Sequence, residues 1–446
     1  MKIGLIQNIA TAGDFSTNLR LVVQGARACT DAEADLLVAS AQAIDGALPG
    51  GLSRRSAFLL QSQAALRALA AELSKPLILA SYAAAPGAAA SLPRPFLLKG
   101  GEVLPLENHR VLELEGISLF LDVGEFPSPP PAGTACHGIL HLPTAAWHPG
   151  LQQAWVDAAQ QELRTFAPEL GVLVLQGVGS SVGQAIGGGS VGVAAGGVLR
   201  LPVFAPAEAL WPEAPAIAPA NDARDQVFAS AIDSAAGGDD VLEAQLFCLR
   251  ELVSRGGYAA VAVAEGLPHA ELLAALTRLA VGEELLLPLP ASPGQEMPAQ
   301  AAALFARAEA AEALLLSGLS RSAFLLGDYA APAALSGHYA PLADMLPGEI
   351  ARLQQSLNSR LSAAGLAALP APEPELAPRE EALLRLLVDE NRSIMELCAT
   401  RGLPEHALRA IWRRLRRAAA RLDSRPPFLL LRPGAPPTPP LHMLNE

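Results

Sequence analysis

The most constraining feature of this sequence is an alternation of short apolar segments with helical segments, which occurs twice along the chain. Between residues 1 and 208, apolar runs such as KIGLIQ (2–7) and DLLVAS (35–40) are separated by stretches of helical periodicity. A second alternation runs from residue 225 to residue 368. Strands that alternate with helices favour α/β domains with parallel sheets. We therefore predict two α/β domains.

Three further segments separate and follow these domains. Residues 209–224 are rich in proline and alanine, which is typical of a linker. Residues 369–425 open with a proline-rich spacer and continue with helical periodicity, so we expect a helical C-terminal segment. Residues 426–446 are too rich in proline for regular structure and are expected to form a tail.

Composition and charge narrow the class of protein. The 446 residues are 51% hydrophobic and 17% charged, as in a globular chain. The net charge of −12 argues against nucleic acid as the main partner. Four cysteines without a CxxC pair argue against a disulfide framework or a zinc ribbon. No signal peptide or membrane span is recognisable, so we expect a cytoplasmic protein.

One strand–turn–helix segment, VAVAEGLPHAELLAAL (261–276), has the layout of a phosphate-binding loop. Backbone N–H groups at such a turn can bind an anion, and glycines allow the backbone to approach it. This turn has Gly266 but continues with Leu267 and Pro268. A branched side chain and a residue without an N–H both oppose anion binding. The sequence therefore predicts the architecture of such a loop without its chemistry.

Several stretches match a known family in order and spacing. They are KIGLIQNIATAGDFSTN, LQGVGSSVGQAIGGGSVGVAAGGVLRLPVF, LLLPLPASPGQEMPAQAAALFARA and LSGHYAPLADM (335–345). The second of these predicts a hairpin with its turn at Gly196 and Gly197. The first part of the chain resembles the nitrilase (carbon–nitrogen hydrolase) superfamily, and the whole chain resembles glutamine-dependent NAD synthetase. The resemblance implies a nitrilase-like αββα sandwich, then a Rossmann-like parallel-sheet domain of the adenine nucleotide alpha hydrolase type with a helical C-terminus.

The resemblance assigns three amidase positions, and none carries the family's residue. A nitrilase uses a cysteine nucleophile, a glutamate base and a lysine that stabilises the tetrahedral intermediate. Here Ala41 occupies the base position and Gly124 the nucleophile position, beside Glu125. By spacing, His109 occupies the lysine position, or Arg110 if the register slips by one. Alanine and glycine supply neither a base nor a thiolate, so we expect no amidase activity.

The synthetase loop shows similar losses. The family's loop is Ser-Gly-Gly-x-Asp-Ser, and the same six positions here are Gly266, Leu267, Pro268, His269, Ala270 and Glu271. Leu267 and Pro268 replace the glycines that admit pyrophosphate, and Glu271 would repel a phosphate. The family uses ATP and Mg²⁺, but no cofactor and no metal is expected here.

A third family motif is also altered. The run Thr-Gly-Asn-Lys-Ser-Glu corresponds to residues 317–322, where Leu319 replaces the asparagine. Ala334 replaces an acid expected before the GHYAPLAD motif, and a Lys-Arg-Arg-Gln run is weakened to RLDS (421–424). Family residues are replaced at separate sites, while the order and spacing of the matching stretches are kept. This pattern indicates that the catalytic residues are no longer under selection.

A local cluster of cysteine and histidine offers an alternative site. Cys136, His137, His141 and His148 lie within thirteen residues, and soft metal sites use such side chains. Scattered surface histidines beside a small buried cysteine are the simpler interpretation.

The C-terminal helices suggest a different class of function. The segment 393–422 has the rhythm of a helix–turn–helix, with its turn at 402–404. Its basic side chains are Arg409, Arg413, Arg414, Arg416, Arg417, Arg421 and Arg425. DNA-binding helices carry such charge. The resemblance implies a comparable helical pair that packs on the synthetase core, and we favour that interpretation.

Together these observations predict a catalytically inactive homologue, or pseudoenzyme, of glutamine-dependent NAD synthetase. A chain that keeps the shell of an oligomeric enzyme can keep its subunit interfaces, so we expect a homo-oligomer or a hetero-oligomer with an active paralogue. Two alternatives stay open. One is a divergent ATP- and glutamine-dependent NAD synthase or amidohydrolase with residual activity. The other is a DNA-binding regulator that acts through its basic C-terminal helices.

Overall fold

The chain folds as two compact units, residues 1–237 and 238–446. The computed structural model describes residues 1–46, 53, 55–83, 93–148, 150–181, 184–211, 240–290, 297–326, 337–371, 376–388 and 392–419. The first unit extends past residue 208, where the sequence placed its end, because the strand Ala207–Trp211 pairs antiparallel with the first strand of the chain. The proline-rich linker and tail fall almost entirely outside the described residues.

Within the described residues, the first sheet of unit 1 has six strands in the order β14-β1-β2-β3-β4-β5. They are β1 (Ile3–Gln7), β2 (Leu36–Ala41), β3 (Leu77–Ser81), β4 (Arg94–Lys99), β5 (Glu102–Pro105) and β14 (Ala207–Trp211). β1, β2 and β3 run parallel, and the outer strands are antiparallel to their neighbours. Every residue of the three parallel strands is buried, as expected for strands covered on both faces.

The second sheet of unit 1 also has six strands in the described part of the chain, in the order β13-β12-β9-β8-β7-β6. They are β6 (Arg110–Leu114), β7 (Ile117–Gly124), β8 (Gly138–Pro143), β9 (Gly171–Val174), β12 (Val191–Ala194) and β13 (Gly197–Arg200). β7, β8 and β9 run parallel. A separate antiparallel pair is formed by β10 (Val178–Ser181) and β11 (Gln184–Gly187).

Three apolar clusters hold unit 1 together as four layers. Its helices are α1 (Phe15–Asp31), α2 (Ser56–Glu72) and α3 (Leu151–Phe166). One cluster lies between the two sheets and joins Leu5 and Val38 of the first to Leu121 and Leu140 of the second. A second cluster packs α1 and α2 on the outer face of the first sheet, and a third packs α3 on the second sheet. The αββα sandwich predicted from the sequence is therefore confirmed.

The turn of the β12–β13 hairpin lies one residue earlier than the sequence indicated. Ala194 pairs with Gly197, so the two-residue loop is Ala195 and Gly196. Gly197 is the first residue of β13, and its φ of +145° suits glycine better than any residue with a Cβ. The prediction that Gly196 and Gly197 form the turn was wrong, because two neighbouring glycines leave the register of the pairing undetermined.

Unit 2 is built around a parallel sheet, which in the described residues has the order β16-β15-β17. The strands are β15 (Ala260–Glu265), β16 (Leu286–Pro290) and β17 (Ala313–Leu316), and β15 pairs in parallel with both others. The helices that accompany them are α4 (Asp240–Gly256), α5 (Ala270–Val281), α6 (Met297–Ala310), α7 (Arg321–Leu326) and α8 (Pro347–Ala363). This alternation confirms the predicted parallel-sheet domain.

The C-terminal segment is helical, as predicted. It contains α9 (Pro378–Val388), α10 (Ile394–Arg401) and α11 (Glu405–Ala419). Leu384, Leu397 and Trp412 from these helices share one apolar cluster with Phe324 of α7. The three helices therefore complete the core of unit 2 and are not an independent module. In the part of the chain that the structure describes, no helix is long and apolar enough to cross a membrane.

Candidate functional site

The amidase positions of unit 1 lie at the ends of two parallel strands and in a neighbouring turn. Ala41 is the last residue of β2 and Gly124 is the last residue of β7. His109 lies in the turn before β6, where its φ of +55° places the backbone in the left-handed region. The carboxyl ends of parallel strands are where α/β proteins usually build their sites.

Ala41 contributes a buried methyl group at its position. Its side chain belongs to the apolar cluster between the sheets, together with Val123 and Leu142. Only 6% of the residue is exposed. A methyl group can neither accept nor donate a proton. The side chain at position 41 therefore cannot act as a general base.

Gly124 lies at a half-buried position at the end of β7. A Cβ built there would have the Phe126 carbonyl oxygen as its nearest neighbour, at 3.3 Å. The Gly124 carbonyl oxygen accepts a hydrogen bond from the Thr144 backbone N–H at 2.8 Å, which fixes the strand end. Glu125, the next residue, is exposed. A side chain at position 124 would therefore require the Phe126 carbonyl group to shift by a few tenths of an ångström.

His109, at the lysine position, contacts a buried carboxylate. Its Nδ1 lies 3.2 Å from Oδ1 of Asp122 on β7, and 53% of the histidine side chain is exposed. Asp122 also lies beside His141 of β8, since the two residues are paired in the register of the parallel strands. The side chain at position 109 is therefore an imidazole within ion-pair distance of a buried carboxyl group.

The described part of unit 1 also contains a buried chain of titratable side chains that sequence reasoning missed. His141 Nδ1 lies 2.8 Å from Oδ2 of Asp122, and His141 Nε2 lies 2.8 Å from Oε2 of Glu162 on α3. Only 1% of the His141 side chain is exposed. The interpretation of His141 as a surface histidine was therefore wrong. Asp122 within the apolar run ISLFLDV is the signal that could have indicated a buried polar partner.

Burial and the two carboxylates act in opposite directions on His141. Burial lowers the pKa of the imidazole, because the charged form loses its water. The hydrogen bonds and charges of Asp122 and Glu162 together outweigh that effect, so the pKa lies above its ordinary value of 6.5. The charged imidazolium is therefore the form that this environment favours.

The other members of the cysteine–histidine cluster have separate environments. His137 Nδ1 lies 2.7 Å from Oγ of Ser118. Cys136 packs against the apolar cluster beneath α3, and burial raises the pKa of its thiol. Searching the described residues finds no group of three or more histidine, cysteine, aspartate or glutamate side chains placed to hold a metal ion. The alternative of a metal site gains no support from these contacts.

The phosphate-loop segment of unit 2 is a tight turn between β15 and α5. Gly266 adopts a φ of +76°, which glycine accepts without strain. Leu267 packs against the apolar cluster that contains Leu289 and Leu304. α5 begins at Ala270, directly after a left-handed cap residue. The apolar side chain of Leu267 therefore stabilises the turn.

A second loop lies directly against this turn. A Cβ built on Gly318, which follows β17, would lie 2.0 Å from the carbonyl oxygen of Pro268. Only a glycine at position 318 permits so close an approach of the two backbones. At this point the turn presents a carbonyl oxygen, which is an acceptor, and Pro268 has no N–H to donate. A phosphate requires donors, so the closed contact opposes anion binding chemically as well as sterically.

The third motif is partly rebuilt as core. Leu319 is 1% exposed and joins the apolar cluster of the C-terminal helices. Arg321 and Asp344 are both buried, and Nε of the arginine lies 3.6 Å from Oδ1 of the aspartate. Asp344 is the acid that the sequence matched to the family's GHYAPLAD motif. Ala334 and residues 421–424 lie outside the described residues.

Arginines of α11 contact acids and backbone of their own unit. Arg409 Nε donates to Glu405 Oε1 at 2.6 Å, and Arg414 lies 3.9 Å from Glu380 of α9. Arg413 Nε donates to the carbonyl oxygen of Arg409. Arg421, Arg425 and the side chains of Arg416 and Arg417 lie outside the described part. These contacts agree with packing on unit 2.

Unit 1 is a double sheet covered by helices, and unit 2 is a parallel-sheet unit that ends in helices. This combination defines a class of fold in which an amidase-like unit is followed by a synthetase-like unit. Solved structures identify the combination. The chain is similar to a glutamine-dependent NAD⁺ synthetase from Acinetobacter baumannii in complex with ADP, with 14% identity, a TM-score of 0.63, and coverage of 100% of this chain and 99% of that chain. It is also similar to a glutamine-dependent NAD⁺ synthetase from Cytophaga hutchinsonii, with 10% identity, a TM-score of 0.72, and coverage of 96% and 94%.

No protein-family model matches the sequence, and no curated relative matches it. At 14% and 10% identity the two likenesses establish the fold and do not extend to activity. The fold predicted from the sequence resemblance is thereby confirmed along the whole chain. The chain has the fold of glutamine-dependent NAD⁺ synthetases.

Proposed function

We propose that this protein is a catalytically inactive homologue of glutamine-dependent NAD⁺ synthetase that acts by binding, as a subunit of an oligomeric assembly. The observation that carries the proposal is the contact between the turn at Pro268 and the loop at Gly318. It joins the carboxyl ends of β15 and β17, which is where a parallel sheet of this kind binds its ligand.

Three features of the turn oppose a nucleotide. Leu267 fills space near the turn and anchors it to the apolar cluster. Pro268 supplies no N–H. Glu271 places a negative charge in the first turn of α5, where the helix N-terminus would otherwise attract a phosphate. The three effects have separate physical causes, so reversing one of them should not restore binding.

The amidase unit supports the same proposal independently. A nitrilase-type reaction needs a thiolate and a base held together, and positions 124 and 41 supply a hydrogen atom and a methyl group. Loss of nucleophile and base in such sites typically lowers the rate by about 10⁴- to 10⁶-fold. Ammonia could therefore not be produced by this unit at a useful rate, even if the synthetase unit were intact.

A binding role accounts for the retained hydrophobic cores of the two units. The clusters that hold the two sheets together and that join the C-terminal helices to α7 are extensive and well buried. Selection for folding without selection for catalysis would leave surfaces as the functional part of the chain. A copy of the same chain or an active paralogue is the partner that such surfaces would fit. We expect this assembly to be cytoplasmic.

The activity test uses the purified full-length protein. We expect no NAD formation with either glutamine or ammonium as nitrogen donor above the level of a reaction without protein, and no ammonia from glutamine above the level of a Cys136→Ala control. That control removes the nearest thiol to the vacated nucleophile position along the chain. Activity that exceeds the control in either assay would return the divergent-enzyme alternative to first place.

The partner test uses the assembly in its host. Tagged protein should co-purify with a catalytically intact NAD synthetase or with untagged copies of itself, and native mass spectrometry should give a defined stoichiometry. A monomer that captures neither would contradict the proposed role as a subunit, even if the protein proved inactive.

A further inference from the structure

Four titratable side chains form a line through unit 1 from its surface to its interior. His109 lies at the exposed end and contacts Oδ1 of Asp122. Asp122 contacts His141 through Oδ2, and His141 contacts Glu162 through its other ring nitrogen. The line joins the turn before β6, the neighbouring strands β7 and β8, and helix α3. No residue of it has a role in the proposed loss of amidase chemistry except His109, which stands at the lysine position.

The geometry requires an additional proton within the line. Both nitrogens of the buried His141 ring lie 2.8 Å from a carboxylate oxygen. A neutral imidazole has one N–H and one lone pair, so one of the two contacts would place two acceptors against each other. A second proton on the ring removes the conflict, because the imidazolium donates to both carboxylates. The extra proton can lie on the ring or on one of the carboxyl groups, and the raised pKa of His141 supports the ring as its place.

We propose that His109, Asp122, His141 and Glu162 form a pH-responsive clamp, in which doubly protonated His141 ties β7 and α3 to β8 and loss of its second proton loosens α3 from the sheet. In the closed state the imidazolium lies between the carboxyl groups of Asp122 and Glu162 and donates a hydrogen bond to each. Removing the proton leaves two carboxylates against one neutral ring in a poorly solvated place, which is unfavourable. His109 gives the line its contact with solvent.

The groups that face His141 from each adjoining element determine which charges act on its imidazole ring. Asp122 faces it from β7 and Glu162 from α3, while β9 contributes the apolar Val174 beside it. Asp122 accepts a further hydrogen bond at Oδ2 from the Ser128 backbone N–H, at 2.9 Å. Cys136 packs against the same α3 cluster as a thiol whose pKa is raised by burial.

The sign of the pH dependence follows from the raised pKa of His141 in the folded chain. The stability contributed by the clamp is fully present below the unfolded-state value near 6.5 and is lost as the pH rises through the folded-state pKa. The clamp is therefore closed at low pH and opens as the pH rises through the folded-state pKa of His141, which lies above 6.5. A histidine buried without partners would behave in the opposite way, because burial alone lowers its pKa.

The primary experiment is nuclear magnetic resonance of the full-length protein with ¹⁵N-labelled histidine, titrated from about pH 5.5 to 9.5. We expect one histidine to keep N–H groups on both ring nitrogens at a pH where free histidine, with its ordinary pKa near 6.5, is already neutral. The signal should be absent from His141→Gln. The proposal is overturned if no histidine keeps both N–H groups at that pH.

A second variant keeps the test valid if His141→Gln does not fold. Glu162→Gln preserves the shape of the side chain and removes one carboxylate, so His141 should lose its second proton at least one pH unit lower. The matched control is Glu169→Gln, since Glu169 is exposed beyond the end of α3. Hydrogen exchange in α3 should also accelerate at a lower pH in Glu162→Gln than in the control. Identical titrations of the two variants would overturn the clamp.

Discussion

Replacing Gly318 by alanine tests the loop contact on which the proposed function rests. The new Cβ would lie 2.0 Å from the Pro268 carbonyl oxygen, whereas Cβ atoms in real proteins essentially never come closer than 3.0 Å to such an atom. The two loops would have to separate by at least 1.0 Å, the difference between these distances. Gly318 does not lie in the left-handed region of φ, so the cost is steric and not conformational.

The magnitude follows from the cost of overpacking a closely packed region, which is about 1–3 kcal/mol. In a folding unit of roughly 150–250 residues each kcal/mol shifts the melting temperature by roughly 2–4 °C. Unit 2, residues 238–446, falls in that range. We therefore expect Gly318→Ala to lower the melting temperature of unit 2 by about 2–12 °C.

The assay is thermal unfolding of the full-length chain followed by far-ultraviolet circular dichroism. The control is Gly196→Ala, because a Cβ on Gly196 would have nothing within 4 Å. That control should melt within a degree or so of the unmodified protein. If Gly318→Ala melts like Gly196→Ala, the two loops are not in contact and the argument against nucleotide binding loses its structural basis.

Three other predictions concern catalysis, DNA and thiol reactivity. Gly124→Cys alone should release no ammonia from glutamine, since Ala41 supplies no base; release above the unmodified chain would contradict this. Binding of the whole acidic chain to duplex DNA at about 0.15 M salt should be weak and should vanish with added salt, and tight sequence-dependent binding would refute it. Burial raises the pKa of Cys29 and of Cys248 to about 12. Alkylation near pH 8 should therefore modify the partly exposed Cys136 and Cys398 first, as measured by peptide mass spectrometry. Equal labelling of all four cysteines would show that this burial is absent.

The elements best predicted from the sequence are those with strong local signals. The first two parallel strands of the first sheet were predicted at 2–7 and 35–40, and each lies within one residue of that place. The edge strands β5 and β6 gave no such signal, because they are short and largely exposed. Their place in the sheets depends on pairing with β4 and β7, which a local pattern does not encode.

The candidate sites also differ in how far the sequence alone predicts them. The identity of the residues at positions 41, 124 and 266–271 could be read from the sequence, because it needed only a resemblance in order and spacing. The line through His141 could not, since it depends on the register of β7 against β8 and on the approach of Glu162 from α3. The contact between Pro268 and Gly318 likewise joins residues fifty positions apart through the order of strands in a parallel sheet.

The measurement that tests the central claim most directly is the melting curve of the full-length protein with and without millimolar Mg-ATP. A ligand present at about 100 times its dissociation constant would stabilise the folded state by about 2.7 kcal/mol. For a unit of this size that corresponds to a rise of roughly 5–11 °C in the melting temperature. The account predicts a curve that stays within about one degree. A rise of several degrees that disappears in Leu267→Asp would show that the turn between β15 and α5 still binds nucleotide, and would contradict the account.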